Sequence, residues 1–456
     1  MTSLPSKETM SKEIDIDSTT ETDLDLSSRA SSELKNAEYI EERNKNRVEQ
    51  ENSFADGFKK LEKRLAFPGS TSTMMSVAGT GQSISSPFQS TLSSQNSGAM
   101  SAAATEAMYH LNRVLQYNSR AEERGFLKYI EKVNMIPIHR LAAEELTSCQ
   151  LDGQDWALIK HAADMSKKVY DDNIEDAPDV VVHKVFTAGV NMKPAIVSTH
   201  NHGNKKVLIV TVRGTVTTDD WMLNVNGDPE TSQAFEENTQ WHRGFLAMAL
   251  KMQKEIAKVV EKVASQNNRP EQILFTGHSA GGAIAQILYA LSMRTDSAMA
   301  KAIQGFPTVH CVTFAAPPVS RPPIVPDPAR NPQHAQGKFF AVINEGDPVP
   351  LAQREYIYAL LDVYGKSIKK LEEEGLDKFK VPVPMMQLSG QCLLLRDEGP
   401  SRFLEFNIGA YSVEVDVLQS KLFGNPLEHF MIEYQSRIYR VLDLGKPIDK
   451  DMDIDI

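Results

Sequence analysis

The strongest chemical signal in the sequence is a serine held between glycines, in the stretch ILFTGHSAGGAIAQILYAL. The central pattern reads Gly277-His278-Ser279-Ala280-Gly281, between a run typical of a buried strand and a run typical of an apolar helix. A strand-to-helix turn this sharp excludes bulk two residues before and after the serine, and it lifts the hydroxyl above the end of the sheet. The pattern predicts that Ser279 is a nucleophile and that Gly277 and Gly281 form its elbow.

A serine hydroxyl needs a base to remove its proton, and that base needs an acid to orient it. In hydrolases with this elbow, the acid and then the histidine follow the serine along the chain. Asp347 ends the apolar run FFAVINEGDPVP in a Gly-Asp-Pro turn, and His429 lies in NPLEHF, where a loop enters a helix. His310 and His334 precede Asp347 and do not fit this order. We expect Asp347 to orient His429, and His429 to remove the serine proton.

Each of these positions also has a purely structural interpretation. The serine could sit in an idle glycine turn, Asp347 could cap a helix, and His429 could begin a helix without a catalytic role. The histidine inside the elbow, His278, is expected to pack rather than to catalyse. Rival acids, which the pattern assigns to a Pro-rich loop, a helix and a charged loop, are Asp327, Asp362 and Asp397.

Ester cleavage by a serine also requires N–H donors for the oxygen that becomes negative. One expected donor is the backbone N–H of Ala280, directly after the nucleophile. The other should lie after an earlier strand, and the apolar run Val207–Val212 ends shortly before Thr215. Thr215 offers both an N–H and a hydroxyl, but the spacing alone fits an ordinary turn equally well.

The elements that would position these residues alternate along the chain. Amphipathic or apolar helical spacing covers Trp156–Tyr170, Phe245–Val263 and Ala283–Met293. This alternation predicts an α/β fold with a largely parallel sheet covered by helices on both faces. The strand-like runs are Val180–Phe186, Ala195–Thr199, Val207–Val212, Ile273–Thr276, His310–Phe314 and Phe339–Ile343.

Composition predicts four regions along the chain. Residues 1–104 are polar and rich in Ser, Thr and Gly, so we expect them to be disordered. Residues 105–155 are expected to form an N-terminal helical extension, and 156–445 the α/β domain. Residues 446–456 form an acidic tail.

Charge and cysteine content limit the classes of function. The formal net charge of -11 argues against nucleic acid as a main partner, because phosphate contacts need clustered Lys and Arg. Three widely spaced cysteines indicate neither a disulfide framework nor a zinc site, and we expect no metal or cofactor. No signal-like start and no membrane-spanning apolar run are seen, so we expect a cytoplasmic protein.

A lipid partner remains compatible with this composition, because the apolar portion of a lipid is recognised by burial rather than charge. The helical stripe from Ile357 to Leu371, with lysines beside it, could lie on a membrane, but we expect it to pack on the core.

Taken in order, the motifs VLIVTVRGTVTTDDW, WHRGF, GHSAGG and GDPVP resemble the class 3 lipase family, over about Trp156 to Leu442. The resemblance implies an α/β-hydrolase fold, with a mostly parallel central sheet flanked by helices. It also implies cleavage of ester bonds in acylglycerols and related lipids. From it we expect a lipid ester substrate and, because such substrates are poorly soluble in water, reversible contact with membranes or lipid droplets. It assigns Ser279, Asp347 and His429 to the family's triad, and Thr215 and Ala280 to its oxyanion donors.

The resemblance also points to a lid. Residues 216–228 correspond to a helical lid in secreted fungal members, and here they carry Trp221, Met222 and Leu223 among acidic residues. An asparagine, Asn224, stands where many members carry Asp. The secreted members also have signal peptides and disulfides, neither of which this sequence predicts.

Three functions fit these patterns. The first is an intracellular lipase or esterase, and the second a lipase-like binding or signalling protein without turnover. The third is a phospholipase or a protein-acyl hydrolase, which would use the same chemistry. The complete set of triad residues, with Thr215, favours the enzyme.

Overall fold

The computed structural model describes residues 110–111, 120–171, 180–186, 193–214, 229–236, 238–400 and 406–444. These residues belong to one compact unit, Met100–Ile456. The polar region 1–104, Thr215, the candidate lid 216–228 and the tail 446–456 lie outside the described residues, so the expectations for them stay predictions.

Strands and helices alternate over most of the described chain. The strands are Thr147–Ser148 (β1), Val180–Phe186 (β2), Ala195–His202 (β3), Lys205–Val212 (β4), Pro229–Glu230 (β5), Gln240–His242 (β6), Gln272–His278 (β7), Thr308–Phe314 (β8), Ser320–Arg321 (β9), Phe339–Asn344 (β10), Gln391–Pro400 (β11) and Phe406–Val413 (β12). The α-helices are Arg120–Asn134 (α1), Gly153–Lys168 (α2), Arg243–Ala264 (α3), Ala280–Ser292 (α4), Ala298–Ala302 (α5), Pro332–Ala335 (α6), Arg354–Gly365 (α7), Ile368–Glu374 (α8), Val415–Gln419 (α9) and Met431–Leu444 (α10). Single 3₁₀ turns occupy Pro137–His139, Ala143–Glu145, Val349–Leu351, Leu376–Lys378 and Pro426–His429.

The main sheet of the described chain has the order β1-β12-β11-β10-β8-β7-β4-β3-β2. Its five central strands, from β11 to β4, run parallel. Both margins are antiparallel. Strands β3 and β4 are antiparallel because a two-residue turn joins them directly. Gly203 in this turn has φ of 58°, a conformation that glycine adopts without strain. The α/β-hydrolase fold with a mostly parallel sheet is confirmed, and the antiparallel margins were not foreseen.

The central strands are buried on both faces. Ile273 and Phe275 of β7 belong to the apolar layer that contains α3 and α4. Leu274, between them, belongs to the opposite layer with α2 and α10. Because successive side chains of a strand point to opposite faces, a sheet between two helical layers needs such continuous apolar runs. No helix in the described part of the chain is long and apolar enough to cross a bilayer.

Two local predictions differ from the structure. The stripe from Ile357 to Leu371 is two helices, because α7 ends at Gly365 and Ser367 caps the start of α8. Most of that stripe is buried, although Ile368 is exposed. Asp397 lies on β11 rather than in a charged loop, since the strand continues through the charged residues.

Helix α1 is packed into the apolar layer around α7. Phe126 of α1 is fully buried and meets Tyr364 of α7 edge to face, with ring centroids 5.4 Å apart. Lys132 Nζ donates to the Tyr364 carbonyl at 2.7 Å. A little further on, the buried Arg396 guanidinium binds Glu345 and donates to the Leu141 carbonyl at 2.7 Å. The segment before β1 is therefore held to the strands that carry the site described below.

Replacing Phe126 by Ala should lower the free energy of unfolding by about 3–5 kcal/mol, because it opens a cavity in this layer. The matched control is Leu127→Ala on the same helix. Leu127 is 44% exposed, so its loss should cost less than about 0.5 kcal/mol. Urea unfolding of the full chain measures both values. Equal costs for the two variants would contradict the packing of α1 described above.

A histidine cluster lies between α2 and the sheet. His200 of β3 is buried, its ring centroid lies 5.6 Å from that of His161 on α2, and its Nε2 is 2.9 Å from Ser198 Oγ. Burial, with a smaller contribution from His161, lowers the pKa of His200 to about 4. The charged imidazole is therefore disfavoured in the folded chain.

The sign of the pH effect follows from this pKa. Well above pH 6.5 the ring is neutral in both states and costs nothing, whereas from about pH 7 down to about pH 4 the unfolded chain is protonated to a greater extent than the folded chain. His200 should thus remove about 2 kcal/mol of stability between pH 7 and pH 5. Unfolding measured at both pH values should show a smaller loss for His200→Gln than for the wild type. If the wild type and His200→Gln lost the same free energy of unfolding between pH 7 and pH 5, the assigned effect of His200 would be wrong.

Candidate active site

Three residues far apart in the sequence meet at the carboxyl edge of the parallel strands. Ser279 directly follows β7, and Asp347 lies three residues after the end of β10. Because β7 and β10 run in the same direction, both strands end at the same edge of the sheet. His429 ends the 3₁₀ turn Pro426–His429, just before α10.

The three side chains form a continuous hydrogen-bonded series. His429 Nε2 lies 3.0 Å from Ser279 Oγ, and His429 Nδ1 lies 3.1 Å from Asp347 Oδ2. A carboxylate only accepts, so His429 Nδ1 carries the proton and Nε2 is left to accept from the serine hydroxyl. This is the arrangement in which an imidazole can remove the serine proton.

The nucleophile elbow is strained and tightly packed. Ser279 has φ of 57° and ψ of -130°, a conformation that costs energy for a residue with a side chain. A Cβ at Gly277 would lie 2.5 Å from the carbonyl carbon of Gly281, and one at Gly281 would lie 2.1 Å from the Val212 oxygen. Backbone meets backbone at both glycines, so neither position has room for a larger residue.

Asp347 is fully buried and is held by three donors. Besides His429, the Tyr434 hydroxyl donates to Asp347 Oδ2 at 2.7 Å, and the Val349 N–H donates to Oδ1 at 2.9 Å. Tyr434 itself accepts from the Asn344 N–H at 2.9 Å. Burial and the nearby Asp347 charge raise the pKa of Tyr434, so its hydroxyl keeps the proton that it donates.

Sequence reasoning did not find Tyr434 or Asn344. Asn344 ends β10, and its side-chain amide donates to the Glu428 carbonyl at 2.9 Å, one residue before His429. A buried tyrosine needs a hydrogen-bond partner, and Tyr434 shares one helix face with the buried Met431 and Ile438. That spacing indicates burial, but it does not identify the partner.

Of the two expected oxyanion donors, the structure describes Ala280. Ala280 begins α4, and the first N–H groups of a helix have no intrahelical acceptor. The Ser279 N–H is occupied by the Phe314 carbonyl at 2.8 Å. A Cβ at Gly214 would lie 3.3 Å from Ser279 Cβ, so the end of β4 adjoins the elbow. Thr215, the next residue, lies beyond the described part.

The rival residues lie on other elements. Asp327 lies in the Pro-rich loop and Asp362 on α7. His310 lies on β8 and accepts from the Lys338 N–H, and His334 lies on the short α6 and is hydrogen-bonded to Ser292. Among the described residues, no group of three or more His, Cys, Asp or Glu side chains is arranged to hold a metal ion.

Comparison with known proteins gives one family match. Residues 209–356 match the family model described as Lipase (class 3), a range that contains Ser279 and Asp347 and ends before His429. A search of curated protein sequences finds no match.

Solved structures of fungal lipases give weaker likenesses. The Rhizomucor miehei lipase–propeptide complex is 16% identical, with a TM-score of 0.43 over 65% of this chain and 86% of that one. A lipase from Rhizopus microsporus var. chinensis is 14% identical, with a TM-score of 0.40 over 64% and 91%. A Penicillium expansum triacylglycerol lipase is 18% identical, with a TM-score of 0.35 over 55% and 82%. The family match confirms, over residues 209–356, the resemblance of this chain to the class 3 lipases.

Proposed function

We propose that this chain is a serine hydrolase that cleaves carboxylic ester bonds of lipids, as an acylglycerol lipase or esterase of lipid catabolism. The observation that carries the proposal is the hydrogen-bonded series from Ser279 Oγ through His429 to Asp347, at 3.0 and 3.1 Å. The match to class 3 lipases over residues 209–356 supports a lipase-type hydrolase.

The first half of the reaction forms an acyl-enzyme. His429 Nε2 takes the hydroxyl proton as Ser279 Oγ bonds to the ester carbonyl carbon. The carbonyl oxygen becomes negative and is stabilised by the Ala280 N–H and, as we propose, by Thr215. The C–O bond to the alcohol then breaks, and the alcohol leaves with the proton from His429.

The second half returns the free enzyme. Water gives a proton to His429 and bonds to the acyl carbon, and the acyl–Ser279 bond breaks with return of that proton to the serine oxygen. In both halves the imidazole becomes a cation beside the buried Asp347 carboxylate. The charge of Asp347 is fixed in place before the reaction, so no solvent must reorganise to stabilise that cation.

Substrate entry is part of the same proposal. Ser279 is only 3% exposed. We propose that the segment with Trp221, Met222 and Leu223 acts as a lid, and that the protein contacts lipid surfaces reversibly.

Replacement of Ser279 by Ala should lower ester turnover by about a millionfold, because no other group can form the acyl-enzyme. A fluorophosphonate probe should label the wild type at Ser279 and leave the variant unlabelled. Ser420→Ala, at an exposed serine after α9, is the matched control and should keep both turnover and labelling. Unlabelled wild-type protein, folded and without turnover on short and long acyl esters, would favour a binding or signalling role.

Replacement of Asp347 by Asn should lower kcat by about 10⁴-fold, because the amide can donate to His429 and stabilise the wrong tautomer. Asp362→Asn makes the same change on the exposed side of α7, where the carboxylate pairs with Lys366, and should leave kcat unchanged. Hydrolysis of a water-soluble p-nitrophenyl ester measures both. A kcat for Asp347→Asn close to that of the control would eliminate Asp347 as the orienting acid.

A further inference from the structure

The histidine before the nucleophile, His278, joins three loops of the site. Its Nε2 lies 2.6 Å from the backbone oxygen of His429, and its Nδ1 lies 3.0 Å from the Tyr170 hydroxyl. The Tyr170 hydroxyl in turn packs against Gly214, two residues after β4, where a Cβ would lie 2.3 Å from the hydroxyl oxygen. The series runs from the loop before Thr215, through the elbow, to the turn that carries His429.

The direction of each hydrogen bond in this series is fixed by chemistry. A carbonyl oxygen only accepts, so His278 Nε2 must carry the proton that it donates to His429. In the neutral ring Nδ1 is then an acceptor, and the Tyr170 hydroxyl must donate to it. Every group has one role, so the series holds one tautomer of His278.

The same contacts keep His278 neutral. Its ring is buried and lies 4.7 Å, centroid to centroid, from the ring of His429. Burial first, and then the neighbouring His429, lower the pKa of His278 well below its usual range. When His429 becomes a cation during the proposed reaction, no second cation therefore opposes it. The elbow histidine both packs, as the sequence predicted, and holds a hydrogen bond.

The backbone of the His429 turn is fixed at two successive carbonyls. The Asn344 amide holds the Glu428 oxygen at 2.9 Å, and His278 holds the His429 oxygen at 2.6 Å. The catalytic imidazole projects from the Cα between this second carbonyl and the preceding peptide. A shift of that Cα would move Nε2 away from Ser279 Oγ, and misplacement by about 1 Å can cost about 100-fold in rate.

We propose that His278 is a positioning residue for ester hydrolysis, which holds the His429 backbone through Nε2 while Tyr170 sets its tautomer. The inference rests on the proposed function, and it assigns no contact between His278 and the substrate. In a packing role only the shape of the His278 ring would matter. In the positioning role the ring N–H is also required for a high kcat.

Three single variants of the full chain separate these roles. His278→Phe keeps a flat ring and removes both nitrogens, whereas His278→Gln keeps a donor and an acceptor on a side chain of similar reach. Tyr170→Phe removes only the hydroxyl that fixes the tautomer. Steady-state kinetics with a water-soluble p-nitrophenyl ester give kcat and KM, and thermal unfolding reports the fold.

We expect His278→Phe to lower kcat about 10- to 100-fold with KM within about 2-fold, because the ground-state contacts of the ester are untouched. His278→Gln should recover at least about 5-fold of that loss. Tyr170→Phe should lower kcat in the wild type but add little in the His278→Phe background, since residues of one network are not additive.

The outcomes distinguish this inference from the function on which it rests. An active wild type together with folded His278→Phe at wild-type kcat would overturn the positioning role alone. A kcat for His278→Gln no higher than that of His278→Phe would also overturn it. So would losses of kcat that add up in the Tyr170→Phe, His278→Phe double variant. If His278→Phe does not fold, a wild-type kcat for Tyr170→Phe would overturn the positioning role instead. A folded wild type that hydrolyses no ester would remove the proposed function and this inference together.

Discussion

The Asp347 carboxylate is completely shielded from solvent, and a buried negative charge is costly unless donors surround it. Here a tyrosine hydroxyl, a backbone N–H and an imidazole N–H meet its two oxygens. These donors come from α10, from the 3₁₀ turn after β10 and from the turn before α10. Satisfying one carboxylate therefore fixes three segments of backbone at one end of the sheet.

The parallel strands make that convergence possible. Ser279 and His429 are 150 residues apart, and Asp347 and His429 are 82 residues apart. The central strands β4, β7, β8, β10 and β11 run in the same direction, so each delivers its last residues to the same edge. The apolar layers on both faces then hold these strand ends in position, because neither face can move without exposing buried side chains.

The central architecture and the chemistry-bearing residues were predictable because their signals are local. The Gly-x-Ser-x-Gly pattern spans five residues, and the order of acid and histidine follows the chain. The close approach that excludes a side chain at Gly281, however, comes from the Val212 oxygen at the end of β4. Tyr434 and the hydrogen bonds of His278 were not predictable, because each depends on partners brought near only by the fold. The break at Ser367 was missed for the opposite reason: the apolar spacing continues across it, and only the cap interrupts the helix.

The packing of α1 has a consequence for where this domain can be cut. The resemblance to class 3 lipases begins near Trp156, yet Phe126, Tyr129 and Val133 fill the layer in which Tyr364 and Leu360 are buried. A fragment starting at residue 156 would present that layer to water as an apolar groove, and exposed apolar surface of this kind promotes aggregation. It would also lose the Leu141 carbonyl that binds the Arg396 guanidinium beside the Asp347 turn. The shortest fragment suited to expression or crystallisation therefore begins before Arg120.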